Sequence, residues 1–212
     1  RKGKGVPAMM KKQRLFPLLL AILLFVPLLG GASASEASES ETSAPVGEAF
    51  STTEYVLNRD DDYYHFSSIT DVQIRGYIGG DLIGFSYAPK VSATIDGNLR
   101  FAATALEVTG DVARSITVAC GEATLAASSK SVYFIGDSLY FSGSTGDLTA
   151  EALEVSLSGR VDGDVNVQAD RVTFLNGFSC TGSIRVTAKE VEFGPVDAAV
   201  VEWQQVTTGS EI

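Results

Sequence analysis

The sequence predicts an all-β fold, a single parallel β-solenoid of about six turns of roughly 17 residues each. Three observations predict it. A glycine, a small polar residue and a β-favouring aliphatic recur as Gly80-Asp81-Leu82, Gly97-Asn98-Leu99, Gly110-Asp111-Val112, Gly146-Asp147-Leu148, Gly163-Asp164-Val165 and Gly182-Ser183-Ile184. Between them apolar and polar residues alternate over short stretches such as Val165-Asn166-Val167, the period of half-buried strands. No stretch after Ala34 carries a helical period.

The elements follow in chain order. Residues 1–34 read as a secretory signal: Lys11, Lys12 and Arg14 precede an apolar run from Leu15 to Leu29, and Ala32-Ser33-Ala34 offers a cleavage site. A membrane span needs about 20 apolar residues, so an uncleaved signal anchor is the alternative. The basic flank leaves the rest of the chain outside the cytosol either way. Met9 and Met10 lie inside the opening stretch, which reads as an over-extended start. Residues 35–45 (SEASESETSAP) are acidic and lack large apolar residues, the composition of a disordered linker. Residues 46–70, with Tyr55 and Leu57, are expected to cap the N-terminal end of the coil, and residues 194–212, with Trp203, the C-terminal end.

The coil itself is expected over 71–193. Successive repeat glycines are 17, 13, 36, 17 and 19 residues apart, so the 102 residues from Gly80 to Gly182 hold six units if the 36 spans two, with a degenerate turn near Cys120 to Ser144. Each corner glycine is expected to supply a positive φ for a sharp bend, its polar neighbour capping the turn. The inward set is Leu82, Leu99, Val112, Leu148, Val165 and Ile184, and then the pairs Leu106 and Val108, Leu153 and Val155, Val172 and Phe174, and Val191 and Phe193. An antiparallel β-sandwich is the rival, but it would space its strands more closely, by about 8–12 residues. Cys120 and Cys180 lie 60 residues apart, about 3.5 turns or roughly 17 Å along a solenoid axis. That is beyond disulfide reach, and two buried free thiols are expected.

Charge narrows the function. Residues 1–34 hold six basic residues and no acid, so the remaining chain carries 10 basic against 26 acidic residues, a charge of −16. Such a surface repels phosphate backbones, and no nucleic-acid partner is expected. His65 is the only histidine, which excludes multi-histidine metal sites and leaves any Cys-His nucleophile dependent on a core thiol. Asp60-Asp61-Asp62 lacks the alternation of a loop calcium site and reads as a solvated acidic turn. Asp81, Asp111, Asp147 and Asp164 are expected to stack at equivalent corners, capping turns rather than binding a cation. Arg100, Arg114, Arg160, Arg171 and Arg185 are scattered, and no acid and base recur on adjacent turns of one face as a lyase or glycosidase requires. No catalytic residue, metal or cofactor is expected.

Val-Asp-Gly-Asp-Val at 161–165 and Ile-Gly-Gly-Asp-Leu at 78–82 resemble the polymer-forming bactofilin family, in particular exported, signal-bearing relatives. The resemblance covers about residues 71–193. It implies a right-handed β-helix that assembles end to end into non-polar filaments without nucleotide. The export signal, the degenerate middle and the long flanks depart from the family pattern. A weaker resemblance is to adhesin-like β-strand-repeat proteins of bacterial surfaces. The expected function is that of a non-catalytic, extracytoplasmic scaffold of the cell envelope that binds itself through its end turns. A cell-wall polymer is a further expected partner, and a membrane only through an uncleaved N-terminal segment. A surface adhesin or carbohydrate-binding domain is the alternative, and a polysaccharide lyase the third reading.

Overall fold

In a computed structural model of the chain, the described residues are 53–59, 63–68, 71–194 and 197–205. The signal, the acidic linker and Asp60-Asp61-Asp62 lie outside them. Fifteen strands follow: β1 (Thr53–Arg59), β2 (Tyr63–Ser67), β3 (Val72–Ile78), β4 (Asp81–Ser86), β5 (Lys90–Val91), β6 (Thr94–Ile95), β7 (Leu99–Val108) and β8 (Ser115–Leu125), then β9 (Ser128–Phe141), β10 (Ser144–Glu151), β11 (Glu154–Leu157), β12 (Arg160–Val161), β13 (Val165–Phe174), β14 (Ser179–Phe193) and β15 (Asp197–Gln205). All their pairings are parallel, and the described residues contain no helix. The parallel β-solenoid expected from the repeat is therefore the fold.

Each turn crosses three faces. The first face carries the inward column Tyr64, Leu82, Leu99, Ile116, Val132, Leu148, Val165 and Ile184, one residue per rung, with Val201 next in register. The chain then bends onto the second face, whose column is Tyr55, Ile74, Val91, Val108, Leu125, Phe141, Leu157, Phe174 and Phe193. A short third face, with Ile78, Ile95, Val112, Thr145, Val161 and Cys180, closes the turn. Alternation places these side chains inside, where each buried aliphatic or aromatic contributes about 1.5–3 kcal/mol. The length of a turn varies slightly along the coil: it is shortest from Ser115 to Ser131, longer from Leu99 to Ile116 and from Tyr63 to Asp81, and longest from Val165 to Ile184.

Several expectations are corrected. The first-face column makes eight steps from Tyr64 to Val201, so the solenoid has about eight turns, not six. The extra turns come from the flanks, which do not fold over the ends as caps: β1 and β2 pair in register with β3 and β4, and β15 pairs with β14. Within β1, Leu57 is buried and Tyr55 packs against the core. Trp203 takes the rung position after Val186. The middle is not degenerate either, because β8 and β9 pair without interruption.

Of the expected inward residues, Leu82, Leu99, Leu106, Val108, Val112, Leu148, Val155, Val165, Val172, Phe174 and Ile184 are buried and Val191 is partly so. Leu153 is not core: it is 52 % exposed, because its backbone bonds to Asp137 and Asp170 place it on the outer bend between first and second faces. Phe193 is 49 % exposed for another reason. It belongs to the inward column but stands on the last described rung of the second face.

One inserted corner proves informative. From Phe174 to Ser179 the chain takes five steps where Leu157 to Arg160 takes three, yet Arg160 still pairs with Ser179. The excess forms a turn closed by Phe178 N–H donating to the Leu175 carbonyl at 3.3 Å, with Gly177 at φ 88°. Phe178 returns to the core, 5.2 Å from Phe174 between ring centroids.

Candidate functional site

The corner between the third and first faces carries a ladder of side-chain acceptors. Asp81, Asn98, Ser115, Ser131, Asp147, Asp164 and Ser183 occupy successive rungs of one column. Asp81 Oδ1 accepts the Asn98 backbone N–H at 2.7 Å and its side-chain amide at 2.9 Å, while Oδ2 accepts from Arg100 at 3.0 Å. Asn98 Oδ1 accepts the Ser115 N–H at 3.2 Å, and the Ser131 hydroxyl donates to that of Ser115 at 3.0 Å. Asp147 Oδ1 accepts the Asp164 N–H at 2.9 Å, and Asp164 Oδ1 accepts the Ser183 N–H at 2.8 Å and hydroxyl at 2.9 Å. The N–H and hydroxyl of Ser183 lower the Asp164 pKa from its ordinary value, since both favour the ionised form. Along most of the ladder a side chain thus satisfies a backbone donor of the next turn.

Gly110-Asp111 does not belong to this column. The Ile95–Val112 bridge sets it on the third face, where Asp111 accepts the Ser128 hydroxyl at 2.6 Å. Gly110 follows Gly97 too soon to open the next rung, which Ser115 opens one full turn after Asn98. Arg114 and Lys130 hold the glycine positions in those two rungs, bonded through the backbone to Gly97 and to each other. Nor do the corner glycines supply positive φ: among the described residues only Gly76 (φ 102°) and Gly177 (φ 88°) do so. Close approach explains them. A Cβ on Gly97, Gly163 or Gly182 would collide with the carbonyl of the glycine, and the Asp carboxylate, one rung below.

The remaining charged side chains mostly link neighbouring rungs. Lys90 pairs with Glu107 at 2.9 Å, Arg171 with Glu190 at 2.9 Å, Lys189 with Asp170 at 2.7 Å and Arg185 with Glu202 at 3.5 Å. Arg160 reaches Asp162 within its own turn at 2.6 Å. Exposed pairs of this kind each contribute about 0–1 kcal/mol. His65 is exposed on β2. Among the described residues there is no group of three or more His, Cys, Asp or Glu side chains placed to hold a metal ion. A shallow groove beside Ala88, Pro89, Lys90, Glu107 and Glu122 is the best-formed concavity, about 210 Å³, under the roughly 300–1,000 Å³ of small-molecule sites.

Both cysteines are free and buried. Burial first, and then the negative potential of Asp137 and Glu122, pushes the Cys120 thiol up to about 12. Burial also raises Cys180. Because the thiolate is the nucleophile, the native chain at pH 8 is expected to take up no iodoacetamide in an hour and two labels once denatured. Native labelling at the rate of a small free thiol would show that these rungs open.

Exposed aromatics do not form a row. Phe85 sits above Ala102 and Ala119 in one outward column, Tyr133 between Thr117 and Thr149 in another, and Tyr140 on the second face between Thr124 and Ser156. The two ends are the distinctive surfaces. Among the described residues β1 has only β3 as partner, and β15 only β14. At the β14 end the Phe193 ring stacks on Phe174 at 5.4 Å with 8° between planes, its other side turned away from the column.

No protein-family model, curated protein or solved structure matches this chain. Architecture therefore defines its class: a parallel β-solenoid with a polar corner ladder and two strand-edged ends.

Proposed function

We propose that the protein is a non-catalytic scaffold, exported by its N-terminal segment to the bacterial envelope, that associates with itself through the ends of its solenoid. The observation that carries this reading is the state of those ends: terminal strands with one partner each, and an inward column that finishes on a half-exposed phenylalanine. Such edges recruit further strands. The resemblance to polymer-forming bactofilins and the acidic surface of the exported part agree with it. Against a lyase stands the use of Arg100, Arg160, Arg171 and Arg185 in ion pairs that bind the coil. Against a carbohydrate platform stands the scatter of Phe85, Tyr133 and Tyr140 over separate columns.

The test is mass against concentration, by light scattering with negative-stain microscopy, on the chain as a secreting cell processes it. Oligomers or filaments that grow with concentration are expected. A monomer at every concentration would overturn the reading and turn attention to glycan and peptidoglycan fragments as ligands.

A further inference from the structure

The winding order of the faces gives the two ends a direction. Each turn passes from the first face to the second, then the third. The described coil begins on the second face with β1 and finishes on the first face with β15. The face that would follow β15 is the second, which is the face β1 supplies. Each end therefore carries a step of about a third of a turn, and the two steps are complementary. Like ends related by a twofold axis would instead run β15 antiparallel to its copy, abandoning the parallel register kept by every described rung.

We infer that copies join head to tail, with β15 of one copy pairing with β2 of the next while the end of β14 meets β1, so that one continuous parallel ladder crosses the junction. This deepens the end-association reading and rests on it. Register names the contacts. The first-face column that runs through Ile184 and Val201 continues on Tyr64 of the next copy, and the outward column through Thr187 and Gln204 continues on Ser67. On the second face the column ending at Phe193 continues on Tyr55, which covers the exposed ring. One juxtaposition is unfavourable: Glu192, outward after Thr173, comes opposite Glu54, which Arg75 pairs at 3.2 Å within its own copy. In a single chain those two glutamates lie eight rungs apart, roughly 38 Å at strand spacing, so they couple only across a junction. A head-to-tail contact of this kind does not close on itself and grows an open, polar filament.

Two full-length variants, Ser67→Cys and Gln204→Cys, carry the test. They receive different tags and are oxidised alone and mixed; Cys120 and Cys180, both buried, make the parent chain the blank. Expected is a disulfide between the two variants when mixed and none within either alone. Cross-linking of Ser67→Cys with itself, or of Gln204→Cys with itself, would overturn the polarity and leave end association standing. Monomers without cross-links in any mixture would overturn both. Charge gives an independent reading: Glu192→Lys is expected to lower the concentration needed for assembly about two- to fivefold, and adding Glu54→Lys to return it towards the parent value. Equal assembly of all three chains would count against this register.

Discussion

Phe141→Ala is expected to lower stability by about 3–5 kcal/mol, the usual cost of an aromatic-sized cavity in a packed core. The ring is fully buried on the second face, between Leu125 in the rung before and Leu157 in the rung after. Neighbouring rungs are fixed by backbone bonds to the next turn, so the hole cannot easily collapse. For a solenoid of this size the melting temperature should fall by roughly 6–20 °C, readable by circular dichroism. Phe193→Ala is the internal control, since that ring shares the column but is half exposed at its end. Its loss should cost about 1 kcal/mol. Equal costs at the two positions would mean that Phe193 is as enclosed as Phe141, and that the column has no open end.

Gly163→Val is expected to rank beside it, at about 2–4 kcal/mol. Its Cβ would meet the Asp147 carboxylate and the Gly146 carbonyl, so the rungs must part where Asp147 receives the Asp164 N–H. Turns of a solenoid contact only their neighbours, and a parted rung weakens the coupling of the halves on either side. A broadened or two-step melt should accompany the loss. Lys130→Ala, at the equivalent column position in the coil's middle, is the comparison and should stay within about 0.5 kcal/mol as a surface change. A Gly163→Val chain as stable as the parent would sink the close-approach account of the corner glycines.

The fold was legible because alternation and repeat length agree: Leu99, Leu148 and Val165 follow corner residues at the spacing one turn requires, and they are buried. Corner chemistry was less so. Gly-Asp at 110–111 has the composition of the ladder but not its register, whereas Ser115 and Ser131 have the register without the glycine. Only counting one turn length on from Asn98, and then a second, would have found them. Leu153 keeps the parity of Val155, and parity fails at a bend, where the chain turns its residue outward; Thr104, Asp137 and Asp170 stand two before Leu106, Leu139 and Val172 in the same way. The flanks were obscure because 53–67 and 197–205 lack the glycine signature while retaining strand alternation. Ends in turn depend on what the last rung leaves uncovered, as at Phe193, and that is a property of position rather than of residue type.

The corner from Leu175 to Phe178 separates the length of the chain from the geometry it encodes. Two more residues enter there than between Leu157 and Arg160, and every column on either side remains aligned. By contrast, the bend from first to second face holds a constant interval of five between inward positions, as in Val118 to Ala123, Phe134 to Leu139, Ala150 to Val155 and Val167 to Val172. A single deletion at that rigid bend would invert the parity of the strand after it and turn its buried side chains to solvent. The coil is thus a frame with one elastic hinge per turn, able to accept foreign residues at one seam while the other bend admits none.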